Sequence, residues 1–180
     1  MKVRHDKRIY RLLLMGMLFG CVAYLAVKCI FVSARIMGDS MEPTLHAGEY
    51  TAGIRSWWMG EPGRGDIISF HPPGNNNELY VKRIIGLPGE KVEIRNGRIY
   101  IDDSEDPLAE PYLGDGWTVD TGPYRFEVPE GKYLVLGDNR NMSYDSRDWD
   151  DPYVDHGDIR SRTCIAYRTV THIRYLYGCK

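Results

Sequence analysis

The sequence has almost no excess of charge of either sign. Its 180 residues include 23 Lys and Arg against 25 Asp and Glu, which leaves a formal net charge of −2. A protein that binds nucleic acid usually carries a basic patch that neutralises phosphates, so we expect neither DNA nor RNA as a partner. The sequence also lacks internal repeats and low-complexity tracts, and its length favours one folded domain.

Cysteine is scarce as well. Cys21 and Cys29 lie in an apolar N-terminal segment, and Cys164 and Cys179 lie near the other end of the chain. The spacing of the four cysteines matches no zinc-binding pattern, and we expect neither a metal nor another cofactor. For the C-terminal pair the sequence leaves two states open: a disulfide in an oxidising compartment, or two buried thiols.

One long apolar run follows a basic start. The first eleven residues hold five Lys and Arg against only Asp6. Residues 9–32 would form about 36 Å of helix, which is enough to cross a hydrocarbon core of about 30 Å. The charge bias predicts a basic cytoplasmic N-terminus at residues 1–8, a single transmembrane anchor at residues 9–32 and an extracytoplasmic domain at residues 33–180. A cleaved secretory signal is the alternative, but the apolar run of such a signal is usually shorter.

The remainder of the chain shows short alternating stretches separated by Gly, Pro and Asn, and no long segment of helical period. The clearest pattern is a hairpin in which Asn96 and Gly97 join residues 91–95 to residues 98–101. Further strands are predicted at residues 50–55, 67–71, 79–85, 124–128, 133–136 and 164–177. The predicted fold class is mainly β, an N-terminal transmembrane helix followed by an antiparallel β-sheet domain, with residues 102–122 as a mobile excursion.

The first candidate for chemistry is Ser40, in the segment Gly-Asp-Ser-Met-Glu-Pro just beyond the predicted anchor. Histidine is the usual activator of a serine nucleophile, but no histidine lies in a recognisable triad context, and the sequence lacks a Gly-x-Ser-x-Gly motif. A lysine can replace histidine if burial keeps its amine neutral, and Lys82 lies in the apolar stretch at residues 79–85. Lowering its pKa from about 10.4 to near 7 requires roughly 4 to 5 kcal/mol of lost hydration. The alternative is an edge-strand lysine whose amine stays in water.

A third segment, residues 137–147, is dense in polar side chains and reads Gly-Asp-Asn-Arg-Asn-Met-Ser-Tyr-Asp-Ser-Arg. Its oxygen-bearing side chains are also typical of a calcium loop. However, Arg140 and Arg147 would repel a cation, and the segment lacks the closing bidentate Glu of such loops. We therefore interpret the segment as a partner of Ser40 and Lys82 rather than as a metal site.

Together these segments resemble the bacterial type I signal peptidases, a family of serine-lysine proteases, and in particular its Gram-positive-like branch. Residues 38–45 resemble the family's nucleophile box, and residues 64–70 resemble the box that follows it. Residues 80–89 are similar to the lysine box, and residues 137–147 are similar to the last box. All four segments occur in the family's order behind an N-terminal anchor.

The resemblance implies roles for five residues. Ser40 would attack the scissile carbonyl, and Lys82 would take the serine proton and later pass it to the leaving amine. Ser143 would hold the Lys82 amine through a hydrogen bond. Asp145 and Arg147 would support the loop that carries Ser143 through a charge-assisted contact.

The resemblance also implies a substrate site. Shallow pockets for small side chains at the first and third positions before the cut would be formed by Ile36, Met41, Leu45, Tyr80 and Val81. For some of these residues a place in the hydrophobic core is the alternative. The backbone N–H of Ser40 would meet the oxyanion, but Gly38 stands where Gram-negative relatives carry a serine, so the second donor stays open.

The implied function is that of a membrane-bound serine endopeptidase that cleaves N-terminal signal peptides from exported pre-proteins after a small-x-small motif. Its expected partners are these pre-proteins and the lipid bilayer, and we assume a monomer. A self-cleaving, repressor-type Ser/Lys protease is one alternative, although it would not need an anchor. An anchored paralogue specialised for surface or pilus protein assembly is the other.

Overall fold

One apolar helix opens the structure. The computed structural model describes residues 7–75, 77–114, 116–169 and 171–176. Helix α1 (Lys7–Ile30) contains a segment that is long and apolar enough to cross a membrane. It ends two residues before the predicted end of the anchor, because Phe31 already pairs with Ile54 of a neighbouring strand. Most of the predicted cytoplasmic N-terminus, residues 1–6, lies outside the described residues.

Two antiparallel sheets follow the helix. Their strands in chain order are β1 (Phe31–Arg35), β2 (Tyr50–Arg55), β3 (Ile67–Phe70), β4 (Tyr80–Gly86), β5 (Lys91–Arg95), β6 (Arg98–Ile101), β7 (Tyr124–Glu127), β8 (Lys132–Leu136), β9 (Tyr153–Asp155), β10 (Ile159–Thr169) and β11 (His172–Tyr175). The larger sheet has the order β1-β2-β10-β3-β4-β8-β9, with β11 also paired to β10, and the smaller sheet has the order β6-β5-β7. Short 3₁₀ helices lie at Ser56–Trp58 and His156–Asp158. The predicted fold class, an apolar N-terminal helix followed by antiparallel β-sheet, is confirmed.

The agreement with the predicted strands is closest where the side chains alternate. The hairpin of β5 and β6 has the predicted bounds, and Asn96 and Gly97 adopt the positive φ angles that its turn requires. The predicted strand at residues 164–177 is wrong in extent, because β10 starts earlier, at Ile159, and β11 pairs back onto it. Residue 177 lies outside the described residues.

Strand β4 positions the candidate site because the hydrophobic core covers both of its faces. Ile84 packs into one cluster with Phe70 and Val135, whereas Ile85 packs into a second cluster together with side chains of the smaller sheet. Every residue of β4 from Lys82 to Gly86 is buried. A lysine at the start of such a segment is withdrawn from water.

The cysteines settle part of the question that the sequence left open. Cys164 is disulfide-bonded, whereas Cys21 and Cys29, both in α1, are free thiols. The partner considered from the sequence, Cys179, lies outside the described residues.

Candidate active site

Ser40 lies in a tight turn between β1 and β2. Its neighbour Met41 is 1% exposed and packs in a core cluster with Ile36, so the turn is held against the hydrophobic core. The backbone N–H of Asn139 donates to the Ser40 carbonyl at 3.0 Å. These contacts fix the turn between the core and the loop that follows β8.

Lys82 contacts Ser40 directly. The distance between Lys82 Nζ and Ser40 Oγ is 2.6 Å, although the two residues are 42 positions apart in sequence. Lys82 is only 4% exposed, and its Nζ lies 5.8 Å from the centre of the Tyr80 ring. The structure therefore brings together the two residues that the sequence predicts as nucleophile and base.

The surroundings of Lys82 favour its neutral form. Loss of hydration is the largest influence and lowers the pKa of Lys82 from its ordinary value of 10.5 to about 8. The positive charge of Arg147 lowers this pKa further, whereas the carboxylates of Asp145, Asp138 and Asp148 raise it in part. Near pH 8 about half of the molecules then carry a neutral amine beside the Ser40 hydroxyl.

Residues 137–147 form a loop, which we call the catalytic loop, that closes over this pair. Asp145 accepts a hydrogen bond from the Gly137 N–H at 2.9 Å. Arg147 holds the same carboxylate with two bonds, from Nε at 2.9 Å and from Nη2 at 3.0 Å. Asp145 and Arg147 thus form a buried, bidentate pair of the kind that the sequence predicts as support.

The position of Ser143 differs from the prediction. Its hydroxyl is buried and makes no hydrogen bond within the described part of the chain, so the predicted bond to Lys82 is not formed. The Lys82 amine is directed to Ser40 instead. Ser143 packs against Gly137, where a side-chain Cβ would lie 2.2 Å from the Ser143 hydroxyl.

Four of the five residues predicted to contact substrate line a groove of about 380 Å³ beside Ser40 and Lys82. They are Ile36, Met41, Tyr80 and Val81. Leu45 does not line this groove and is fully buried. Its backbone N–H donates to the Met41 carbonyl at 2.9 Å, and this turn directs the Leu45 side chain into the core beside Ile67. Leu45 therefore occupies the core position that the sequence left open as the alternative to substrate contact.

A buried ion pair beneath the site was missed by the sequence reasoning. Arg83, next to Lys82, is 0% exposed and donates to both carboxylate oxygens of Asp138, at 2.8 and 2.6 Å. It also donates to the Gly65 carbonyl at 2.7 Å, and Thr44 donates to Asp138 at 2.5 Å. The sequence did contain an indication of this pair. Arg83 is a second charged residue in the apolar stretch that holds Lys82, and a buried charge needs a partner of opposite charge.

The described residues contain no group of three or more His, Cys, Asp and Glu side chains that could hold a metal ion. The acidic residues of the catalytic loop have other partners: Asp138 binds Arg83, and Asp145 binds Arg147. The Lys82 amine lies within hydrogen-bond distance of the Ser40 hydroxyl, so this arrangement is suited to proton transfer between the two side chains.

The two glycines beside the site make a matched pair for testing how tightly it is packed. A Cβ at Gly137 would lie 2.4 Å from the Ser40 carbonyl oxygen, whereas a Cβ at Gly38 has nothing within 4 Å. We expect Gly137→Ala to lower kcat/KM by about 10²-fold, because the catalytic loop must move away from Ser40. Gly38→Ala should fold with an unchanged melting temperature. Equal kinetic effects of the two substitutions would contradict this description of the loop.

Comparisons with known proteins identify relatives of this chain. The family model for signal peptidase, peptidase S26, matches residues 9–167. Signal peptidase I of Leptolyngbya laminosa is 37% identical over 161 residues, which cover 84% of this chain and 76% of the relative. Signal peptidase IB of Staphylococcus aureus is 34% identical over 174 residues, covering 87% and 88%. A crystal structure of a signal peptidase I from Enterococcus faecalis is 34% identical, covers 58% of this chain and 97% of that one, and has a TM-score of 0.49.

The matched span and the identity of these relatives define the class of the protein as a hydrolase, and within the hydrolases as a peptidase. The chain belongs to the signal peptidase family, peptidase S26. The family predicted from the four sequence segments is confirmed.

Proposed function

We propose that this protein is a membrane-anchored endopeptidase that removes N-terminal signal peptides from exported pre-proteins, with Ser40 as nucleophile and Lys82 as general base. The observation that carries the proposal is the 2.6 Å contact between a buried lysine amine and the Ser40 hydroxyl. Burial lowers the pKa of this amine to about 8, so a neutral base is populated near physiological pH. Such a pair can activate a serine without histidine.

The reaction then proceeds in two halves. Neutral Lys82 accepts the Ser40 proton while Ser40 Oγ attacks the scissile carbonyl, and the backbone N–H of Ser40 stabilises the oxyanion. The resulting lysine ammonium passes its proton to the leaving amine, and an ester between the signal peptide and Ser40 remains. Lys82, neutral again, accepts a proton from the water that attacks this ester and then gives that proton to Ser40 Oγ, which releases the signal peptide with a free C-terminal carboxyl group. Both halves of the reaction use the Lys82 amine as the base, so the hydration of this amine affects the rate of both halves.

Ser143 keeps a supporting role in this proposal. Its buried hydroxyl has no hydrogen-bond partner among the described residues, and Gly137 holds it near the Ser40 carbonyl. A buried hydroxyl without a partner is energetically unfavourable, which makes it a ready acceptor when the Lys82 amine becomes charged. Ser143 would thus steady the lysine ammonium between proton acceptance and proton donation.

The anchor and the groove determine the substrate. Helix α1 leads directly into β1, and the groove begins at Arg35, so the site would lie close to the outer membrane surface with the N-terminus in the cytoplasm. The groove lies between residues 35–41 and residues 79–82, where an extended peptide can add main-chain hydrogen bonds. Its shallow pockets would accept small side chains before the cut and exclude large ones.

The test is cleavage of a purified pre-protein by the full-length protein in detergent or vesicles, with the product N-terminus read by mass spectrometry. We expect one cut after a small-x-small motif. Replacing the residue before the cut by Phe should lower kcat/KM at least about 100-fold, because a shallow pocket cannot hold the ring. Cleavage confined to the protein's own chain would instead favour the self-cleaving alternative, and no cleavage would favour the assembly role.

A further inference from the structure

The segment between β6 and β7 crosses from the smaller sheet to the catalytic loop. We call residues 110–114 and 116–119 of this segment the arm. Its Trp117 ring lies 5.0 Å from the guanidinium carbon of Arg140 and 5.3 Å from that of Arg147. Contact between an aromatic face and a guanidinium is favourable, and more so when water is excluded. One indole ring therefore restrains two arginines of the catalytic loop.

These two arginines hold the same residue, Gly137, from its two sides next to the nucleophile. Arg140 Nε donates to the Gly137 carbonyl at 2.9 Å. Arg147 holds Asp145, which in turn accepts the Gly137 N–H at 2.9 Å. Gly137 is in contact with the Ser40 carbonyl, since a Cβ there would lie 2.4 Å from that oxygen. A displacement of either arginine is thus passed to the backbone of Ser40.

Further contacts fasten the arm to the same loop. The Asn141 side chain accepts the backbone N–H groups of Thr118 and Val119, at 2.9 and 3.0 Å, and donates to the Gly116 carbonyl at 3.1 Å. Arg140 also forms an ion pair with Glu110, and both side chains are buried. The predicted mobile excursion is therefore, over this part, a tightly bonded element.

The arm also reaches the strand that carries Lys82. The Tyr112 ring lies 3.8 Å from the guanidinium carbon of Arg83, the residue that follows Lys82. The Tyr112 hydroxyl donates to Glu110 at 2.7 Å, which links this contact to the ion pair with Arg140. The arm thus contacts Arg83 beside Lys82 and also the catalytic loop beside Ser40.

We propose that Trp117 is a positioning residue of the peptidase reaction, which keeps Arg140 and Arg147 in place and so keeps Lys82 dehydrated and directed at Ser40. This role rests on the proposed Ser40–Lys82 chemistry. Without the indole ring, Arg147 loses one of the contacts that restrain it, and water can approach the catalytic loop. Both changes favour the charged form of Lys82, because Arg147 lowers the pKa of the amine while Asp145 raises it.

The proposal is tested with Trp117→Leu, which keeps an apolar side chain but removes the aromatic face, and with Trp117→Phe, which keeps an aromatic face. Tyr100→Leu is the matched control, because Tyr100 lies 4.0 Å from the Arg95 guanidinium carbon in the same small sheet and does not line the groove. In the full-length enzyme, Trp117→Leu should lower kcat about 10- to 100-fold, change KM less than about twofold, and move the acidic limb of kcat/KM to higher pH. Trp117→Phe should retain most of the activity that Trp117→Leu loses, and Tyr100→Leu should leave kcat, KM and the pH profile unchanged.

Titration of Lys82 by NMR in lysine-labelled enzyme, assigned against Lys82→Met, gives a readout that needs no substrate. We expect a higher Lys82 pKa in Trp117→Leu than in the wild type. An unchanged Lys82 titration in the folded variant would overturn the proposal, even if kcat falls. If Trp117→Leu does not fold, the same titration is measured in Asn141→Ala, which removes the four side-chain hydrogen bonds of Asn141 to the arm. A raised Lys82 pKa in an enzyme that cuts no pre-protein would support the positioning role while refuting the proposed function.

Discussion

Lys82→Met is expected to lower kcat/KM for a pre-protein at least about 10³-fold, because it removes the general base that we propose for Ser40. Methionine fills nearly the same volume as lysine and carries no charge. Lys82 is buried and its amine loses hydration on folding, so the substitution should keep or raise the melting temperature. Ser40→Ala should abolish cleavage to the same extent. Activity is measured by the rate of product formation, and folding by thermal unfolding of the same preparations.

The control for this substitution is Lys91→Met. Lys91 lies at the start of β5 with a side chain that is 60% exposed, and its ion pair with Asp103 spans 3.7 Å. We expect kcat/KM of Lys91→Met to stay within about twofold of the wild type, since an exposed ion pair of this kind contributes little to stability. Wild-type rates in Lys82→Met would show that another group accepts the serine proton.

Asp138→Ala is expected to lower the free energy of unfolding by about 3 to 5 kcal/mol, because it removes the carboxylate that neutralises the buried guanidinium of Arg83. Both side chains are 0% exposed, and two hydrogen bonds join them. The Thr44 hydroxyl would lose its acceptor as well. The measurement is the shift of the denaturation midpoint in urea, read with the m-value to confirm that the transition stays cooperative.

Asp151→Ala is the matched control for this ion pair. Asp151 pairs with Lys132 at 3.2 Å, but its side chain is 51% exposed. Its loss should therefore cost no more than about 1 kcal/mol. If Asp138→Ala destabilises the protein no more than Asp151→Ala does, the buried pair does not have the structural importance assigned to it.

The parts of the fold that the sequence predicted well are those in which local pattern and burial agree. Strand β2 and the hairpin of β5 and β6 alternate cleanly, and their observed bounds match the prediction. Strand β1 was missed because Phe31 and Val32 continue the apolar run of the anchor. Strand β10 was cut short because Ser161 is polar yet buried, with its hydroxyl 2.7 Å from that of Ser69 on β3.

The candidate site divides in a similar way. The pairing of Ser40 with Lys82 could be predicted only from the four segments taken together, because neither a serine in a turn nor a lysine in an apolar strand is decisive within its own segment. The side-chain orientations of Leu45 and Ser143 could not, since they depend on contacts with the core and with Gly137. The arm was misread for the same reason. Its polar composition looks like that of a loop, and its bonds go to Arg140 and other residues about 25 positions away.

The pKa of Lys82 in the folded enzyme tests the central claim most directly. Lys82 must be neutral to accept the serine proton, and its burial lowers the pKa from 10.5 to about 8. The rate constant kcat/KM should therefore fall as the pH drops below about 8 and level off above it, with NMR titration of Lys82 giving the same midpoint. A Lys82 amine that titrates near 10.5, together with a kcat/KM that does not change through this range, would contradict the account.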